Sequence, residues 1–169
     1  MPLTQTRPRA AARHVVDIAD YKVVQEPQAE LITYSLGSCI GVAIWDPKTR
    51  VGGLLHYMLP DSTVSRGKAE NNPAMFADTG IPLLFRSAYK LGAEKKRLVV
   101  KVAGGSTLLD DHGTFNIGKR NYAALRKLFW KNGVLIDAEH VGGQFSRTMT
   151  LHVGTGRCTV RIRGEEVEL

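Results

Sequence analysis

The sequence predicts an α/β domain in which helices cover a layer of β-sheet. Three observations indicate this class. Short β-rich segments bounded by glycine, proline or aspartate recur along the chain, two longer segments have apolar residues at helical spacing, and the two kinds alternate. A chain of 169 residues with 43% apolar content is long enough for one domain with a substantial core. We therefore expect a single folded domain.

Four β-rich segments are predicted in the first third of the chain. They span residues 17–24, 31–36, 40–45 and 51–59. Glu26-Pro27, Asp46-Pro47 and Pro60-Asp61 follow three of them, and such pairs are typical of strand ends. Because the link between the last two strands is short, these two strands are predicted to form a hairpin.

Two helices are predicted farther along. The segment 73–91 has a rough apolar face that is interrupted at Gly80–Pro82. The segment 117–131 has one apolar face, with Asn116 as a plausible N-cap and Asn132-Gly133 as the C-terminal stop.

The remaining segments predict loops and further strands. Residues 61–72 are polar and have no apolar period, so we expect a loop there. Asp110-Asp111 also predicts a solvated loop. Leu98 to Val102 predicts a buried strand that ends at a glycine pair. Three strands linked by glycine turns are expected to form an antiparallel meander, at residues 134–141, 147–153 and 158–163.

The first 14 residues predict a basic, flexible tail ahead of a single domain at residues 15–169. Pro2 and Pro8 favour an extended segment, and three arginines make it basic. The N-terminus has no apolar region of the kind found in secretory signals, and no run approaches the roughly 18 apolar residues of a membrane span. We therefore expect a cytoplasmic protein without membrane insertion.

The net charge of +7 has two interpretations. The first is solubility alone, and the second is attraction to an acidic partner. An RNP motif, a zinc finger and interleaved aromatic and basic residues are all absent from the sequence, so we expect no nucleic-acid partner. An acidic protein surface stays open.

Cys39 and Cys158 are predicted to be free thiols. An isolated pair in a cytosolic chain is weak support for a disulfide, and without a CxxC spacing it does not predict a zinc site. Cys158 alternates with Val160 and Ile162, which predicts packing in the core.

Cys39 and His56 form the candidate catalytic pair. Cys39 follows Gly37-Ser38 at a junction between strands, and His56 lies on the partner strand of the hairpin. A thiolate is a nucleophile, and a neighbouring imidazolium lowers the thiol pKa and can protonate a leaving amine. Small residues at 37 and 38 allow backbone N–H groups near the sulfur to form an oxyanion hole. Thr33, on the adjacent strand, is the candidate to orient His56.

The residues alone leave a structural alternative open for Cys39, because a cysteine in an apolar context is commonly a small buried hydrophobe. His56 is flanked by leucines and needs a polar partner. The glycine pairs predict tight turns, because no phosphate-binding motif is present. His112, His140 and His152 have no metal-ligand spacing and are predicted to be surface or hydrogen-bonded histidines.

Several short motifs occur in a fixed order between about residues 20 and 163. They are Leu36-Gly37-Ser38-Cys39 with Asp46, Gly53-x2-His56-x2-Leu59-Pro60, Lys101-x2-Gly104-Gly105, Ile117-Gly118-x-Arg120-Asn121 and Gly142-Gly143-x3-Arg147. Each motif is weak alone, but the ordered set resembles the chemoreceptor glutamine deamidase family, CheD.

This resemblance implies a cysteine amidohydrolase that converts selected receptor glutamines to glutamates, which a methyltransferase can then esterify. By position, Cys39 matches the nucleophile, His56 the general base and acid, and Thr33 the orienting residue. The implied fold is α/β (α+β): a single domain with a β-sandwich-like mixed sheet and helices packed on one face. The family needs no metal or cofactor.

The implied partners are the cytoplasmic helices of methyl-accepting chemotaxis receptors and a CheC-type phosphatase. One segment departs from the family pattern, because Ala103 stands where a larger apolar residue is typical and Ser106-Thr107 is more polar than expected. This departure motivates an alternative, a non-catalytic binding module that acts mainly through the phosphatase. Methylesterase activity on receptor glutamyl esters is a side possibility, because the same thiolate can attack an ester.

Overall fold

The computed structural model describes residues 10–107 and 115–169. The strands are β1 (Ala12–Val15), β2 (Asp20–Val24), β3 (Ala29–Leu36), β4 (Ile40–Trp45), β5 (Gly52–Tyr57), β6 (Val99–Gly104), β7 (Ala138–Val141), β8 (Arg147–His152), β9 (Cys158–Ile162) and β10 (Glu165–Glu168). The helices are α1 (Arg66–Asn71), α2 (Ala77–Lys90) and α3 (Ile117–Asn132). Short 3-10 turns lie at Ser62–Val64, Pro73–Met75 and Lys95–Arg97.

The strands form two five-stranded sheets packed face to face. The open sheet has the order β1-β3-β8-β9-β10, and the helix-covered sheet has the order β2-β5-β4-β6-β7. One core lies between the sheets and includes Leu31, Leu54 and Met149. A second core lies between the helix-covered sheet and helices α2 and α3, around Leu84 and Leu125. The predicted fold class, a single sandwich-like domain with helices on one face, is confirmed.

The predicted hairpin is β4–β5, whose ladder runs from Ile40 opposite Tyr57 to Trp45 opposite Gly52. Asp46 closes its far end. This carboxylate is fully buried, lies 2.9 Å from Arg97 Nη2 and accepts the N–H groups of Lys48 and Glu94 at 2.9 and 3.0 Å. Burial raises the pKa of Asp46, but the hydrogen bonds from Arg97 and the backbone outweigh it and hold that pKa well below its usual range.

The predicted meander at the C-terminus is wrong in its first strand. β7 pairs in parallel with β6 in the helix-covered sheet. In the open sheet β8 pairs with β9, and β9 pairs with β10. The composition of a segment predicts that it is extended, but it does not predict which strand it pairs with. The strand β10 was not predicted, because it is short and charged and has no apolar pattern.

Three predictions about helical segments also differ from the structure. Residues 61–72, predicted as a loop, contain a 3-10 turn and α1. Helix α2 continues through Pro82 without interruption, since burial of Ile81, Leu84 and Phe85 offsets the one lost hydrogen bond. Asn116 makes no side-chain capping bond, whereas Gly133 ends α3 in the left-handed conformation as predicted.

The N-terminal boundary also shifts. β1 begins at Ala12, inside the predicted tail, because it pairs in parallel with β3 and Arg13 contacts Glu30. Residues 1–9, Asp110-Asp111 and His112 lie outside the described residues, so the predictions made for them stay predictions. Within residues 10–107 and 115–169, no helix is long and apolar enough to cross a membrane.

Candidate active site

Thr33 and His56 meet across the sandwich. Both side chains are fully buried, and Thr33 Oγ1 lies 2.7 Å from His56 Nδ1. The same hydroxyl lies 2.7 Å from the carbonyl oxygen of Val16. A hydroxyl has one proton and a carbonyl can only accept, so Thr33 donates to Val16 and accepts the Nδ1–H of His56. This arrangement leaves the lone pair of neutral His56 on Nε2.

His56 Nε2 is buried and has no hydrogen-bond partner within the described part of the chain. A buried nitrogen without a partner is costly in a folded protein, and a role in catalysis is one explanation for such an atom. The lone pair on Nε2 is therefore available to take a proton.

A β-bulge in β3 follows Thr33 and returns Leu36 to the face on which Thr33 lies. Thr33 pairs with Met149 and Leu36 pairs with Arg147, so one extra residue is inserted between them, and Ser35 has a φ of 58°. Bulges of this kind redirect side chains. As a result both Thr33 and Leu36 are buried between the sheets. We predicted Thr33 on a strand adjacent to the hairpin; it lies instead in the opposing sheet and reaches across.

Cys39 lies just before β4, on the same side of the sheet as His56. In the β4–β5 ladder Gly41 is directly opposite His56, and Cys39 is two residues from Gly41. Cys39 packs against the core between the sheets, into which His56 also points. Side chains at such diagonal positions are within reach of each other. Cys39 is partly exposed, so substrate can reach the sulfur, whereas His56 is fully buried.

Burial shifts both groups toward their neutral forms. It raises the pKa of the Cys39 thiol, an effect that the backbone N–H of Cys39 only partly offsets. It lowers the pKa of His56 to about 4. From the sequence we expected an imidazolium that lowers the thiol pKa, but these shifts favour a neutral thiol beside a neutral imidazole near pH 7.

The turn that carries Cys39 is held by all three of its carbonyl groups. The donors come from the segment after β6 and from α3. They are Ser106 N–H to Gly37 O at 2.8 Å, Asn121 Nδ2 to Ser38 O at 2.9 Å, and Gly105 N–H to Cys39 O at 2.9 Å. Because the carbonyls are fixed in this way, the orientation of the turn's N–H groups is fixed as well.

The N–H groups of the turn differ in availability. Gly37 N–H donates to Ser35 O at 2.9 Å, so the predicted role of Gly37 as an oxyanion donor is corrected. The N–H groups of Ser38 and Cys39 donate to no backbone carbonyl among the residues that the structure describes. These two N–H groups are the candidate oxyanion donors, and Cys39 was not foreseen in that role.

Arg147 braces the segment that holds this turn. It is almost completely buried, and its guanidinium donates to Ser106 Oγ at 2.6 Å, to Gly142 O at 2.5 Å and to His140 Nδ1 at 2.9 Å. It also lies 4.5 Å from the centre of the Phe145 ring. Arg147 thereby ties the segment after β6 to the turn before β8.

Asn121 is part of a family motif in the sequence, but no role in the site was predicted for it. A usable signal was present, because Asn121, Leu125 and Phe129 recur at four-residue spacing on the buried face of α3. A polar residue on an apolar face needs a polar partner. Cys158 is buried in the core, as predicted.

Among residues 10–107 and 115–169, no three His, Cys, Asp or Glu side chains are grouped so that they would hold a metal ion. His140 accepts a hydrogen bond from Arg147, and His152 lies 3.4 Å from Glu30. Both are therefore paired with neighbouring polar side chains, as predicted.

A family model described as CheD chemotactic sensory transduction matches residues 58–162, more than half of the chain. The chain belongs to the CheD family. The sequences of individual CheD relatives align with this chain over nearly their whole length. A protein of Syntrophus aciditrophicus is 54% identical over 150 residues, which cover 89% of this chain and 94% of the relative. One from Solibacter usitatus is 50% identical over 155 residues, covering 92% of each chain.

A third CheD relative, from Anaeromyxobacter dehalogenans, is 47% identical over 152 residues, covering 90% of this chain and 95% of its own. All three are named probable chemoreceptor glutamine deamidases. The family model begins at residue 58 and therefore does not include Thr33, Cys39 or His56. The alignment with the Syntrophus relative does include them, because a match over 89% of this chain must contain residues 33 to 56. The resemblance that the motifs predicted is confirmed.

Proposed function

We propose that this CheD protein is a chemoreceptor glutamine deamidase, which hydrolyses the side-chain amide of selected receptor glutamines to glutamate and ammonia. The observation that supports the proposal is the Thr33–His56 hydrogen bond, which leaves Nε2 unprotonated on a buried side chain, while Cys39 packs against the core between the same two sheets. The printed names of the relatives supply the substrate class.

In the first half of the reaction, Cys39 is the nucleophile and His56 the base. As Sγ attacks the amide carbon of the glutamine, Nε2 takes the thiol proton. The N–H groups of Ser38 and Cys39 stabilise the negative charge on the substrate oxygen. The imidazolium then returns its proton to the amide nitrogen, the C–N bond breaks, ammonia leaves and a thioester remains.

In the second half, water replaces ammonia. Nε2 accepts a proton from the water as it attacks the thioester carbon, and the C–S bond breaks. The proton returns to the sulfur, so glutamate is released and the neutral pair is restored. Thr33 Oγ1 accepts the Nδ1–H throughout, so the proton is always exchanged at Nε2. Because burial favours the neutral pair, proton transfer accompanies attack and no resting thiolate is required.

The proposed partners are methyl-accepting receptors in the cytoplasm and a CheC-type phosphatase. The net charge of +7 supports an encounter with acidic receptor helices. The alternative, a binding module, was motivated by Ala103. Ala103 is fully buried and pairs with Gly41 inside the sandwich. The departure therefore concerns core packing and gives no support to the alternative.

Mass spectrometry of receptor cytoplasmic fragments tests the proposal. Wild-type protein should convert specific glutamines to glutamates with release of ammonia, whereas Cys39→Ala and His56→Gln should not. Cys158→Ala is the matched control, because this second thiol lies in the core away from the turn and its loss should leave the reaction intact. Equal ammonia release by wild type and Cys39→Ala would refute the mechanism.

A further inference from the structure

The side chain of Asn121 joins the two chain segments that carry Cys39 and His56. Its Nδ2 donates to the carbonyl of Ser38 at 2.9 Å and to the carbonyl of Met58 at 2.8 Å. Ser38 directly precedes Cys39, and Met58 lies two residues after His56. One buried amide on α3 therefore holds both segments.

These two bonds lie where the backbone ladder has stopped. The last β4–β5 pair is Ile40 opposite Tyr57, so Cys39 and Met58 would be the next pair. That pair is not formed, because the N–H of Met58 donates instead to Met75 O at 2.8 Å. The Asn121 amide takes the place of the missing pair between the strand ends.

The orientation of this amide is determined by its partners. Both are carbonyl oxygens, so the NH2 group must face them, and the flipped amide would place oxygen against oxygen. Asn121 Oδ1 is then buried without a partner in the described part of the chain. That cost is one that a purely structural apolar residue would avoid.

The helix that carries Asn121 is itself fixed to the site. Tyr57 Oη donates to the backbone carbonyl of Asn121 at 2.7 Å. Gly118 packs against the backbone of Gly105 and Ser106 so closely that a Cβ would overlap their carbonyl oxygens. The amide is therefore held on a rigid support.

We infer that Asn121 is a positioning residue that sets the separation of Cys39 Sγ and His56 Nε2 by replacing the missing rung between β4 and β5. This inference rests on the proposed function. The amide touches neither reacting group, and it acts through the backbone on each side of them. A shift of about 1 Å between reacting groups can cost on the order of 10²-fold in rate.

The test compares Asn121→Leu with Asp46→Asn. Leucine has a similar size and no donors. Asp46→Asn weakens the opposite end of the same hairpin and serves as the control for lost stability. Asn121→Leu should lower kcat on receptor fragments on the order of 10²-fold and leave KM nearly unchanged. Asp46→Asn should lower the melting temperature and keep kcat at temperatures where it is folded.

Alkylation of Cys39 by iodoacetamide gives a readout that needs no receptor. If Asn121 holds His56 against the thiol, the pH profile of alkylation in Asn121→Leu should move to that of His56→Gln, while Asp46→Asn keeps the wild-type profile. A wild-type profile and kcat in folded Asn121→Leu would overturn the inference. So would a loss no larger than that of Asp46→Asn at an equal drop in melting temperature.

If Asn121→Leu does not fold, the wild-type protein decides the question by NMR. The Asn121 side-chain amide protons should exchange slowly with deuterium oxide, and their resonances should shift when Cys39 is alkylated. Fast exchange, or no shift, would overturn the inference. If wild type releases no ammonia from receptors, the proposed function is wrong. The alkylation profiles still test the positioning role of Asn121 in that case.

Discussion

The direction in which the Thr33 hydroxyl donates its proton determines which ring nitrogen of His56 is protonated. The proton goes to the carbonyl of Val16, because a carbonyl cannot donate. Thr33 Oγ1 then accepts from Nδ1, and Nε2 is left unprotonated, as the proposed base requires. A neutral threonine thus fixes the tautomer in a fully buried place, where a carboxylate would be costly to desolvate.

Replacement of Thr33 should separate orientation from folding. Thr33→Val keeps the shape but leaves Nδ1–H and the Val16 carbonyl unpaired, which should cost about 1–3 kcal/mol of stability. It should also lower kcat by on the order of 10²-fold, the low end of the range for general acid–base catalysis. Steady-state assay of ammonia release measures this. Thr33→Ser keeps the oxygen and should retain most of the activity, and equal losses in both variants would contradict the assignment.

At the scale of elements, the turn between β3 and β4 depends on close approach by the end of β6. Gly104 has a φ of 112°, and a Cβ there would overlap the carbonyl oxygen of Cys39. Its successor Gly105 donates to that same carbonyl. Only glycine combines this backbone conformation with this contact, so the glycine pair predicted to form a tight turn also positions Cys39, the proposed nucleophile.

Gly104→Ala should therefore damage both stability and activity. Strain at the positive φ together with displacement of the Cys39 turn should cost at least about 2 kcal/mol. Urea denaturation measures this, and the folded fraction should show a lower kcat. Gly67→Ala is the matched control, because Gly67 lies in the exposed helix α1 with open space around it. There alanine should be neutral or slightly stabilising, and a neutral Gly104→Ala would contradict the role given to this contact.

At the scale of the whole molecule, the sandwich buries a histidine between its two sheets. His56 comes from the helix-covered sheet and its partner Thr33 from the open sheet, so their hydrogen bond links the two layers. Burial holds the pKa of His56 at about 4, below the ordinary 6.5. The unfolded chain therefore binds a proton that the folded protein excludes between these two pH values.

This difference makes the stability depend on pH. The contribution of His56 is present in full above pH 6.5 and is lost as the pH falls toward 4, by up to about 3 kcal/mol. Urea denaturation at several pH values in this window should show the free energy of unfolding falling with pH. His56→Gln should reduce that slope, and His140→Gln should reduce it less. An unchanged slope in His56→Gln would contradict the burial of a neutral imidazole.

Local patterns predicted the elements that depend on neighbours in sequence. The β4–β5 hairpin follows from two apolar strands with a short link, and the end of α3 follows from Gly133, which has a φ of 64°. Pairing between segments that are distant in sequence was harder to predict from the sequence. β7 was assigned to the wrong sheet, because its pairing depends on which strand edge is open. The segment of α1 was predicted to be a loop, because this short helix has no buried residue and therefore no apolar pattern.

The sequence by itself determined the family, the α/β class and the residue types of the candidate site, because ordered motifs and apolar periodicity are properties of neighbouring residues. The tertiary structure decided that Thr33 reaches His56 from the opposing sheet and that Asn121 joins the ends of β4 and β5. Burial in that structure also favours the neutral forms of Cys39 and His56. Distances across a sandwich and the loss of solvent around a buried ring arise only when distant segments pack together.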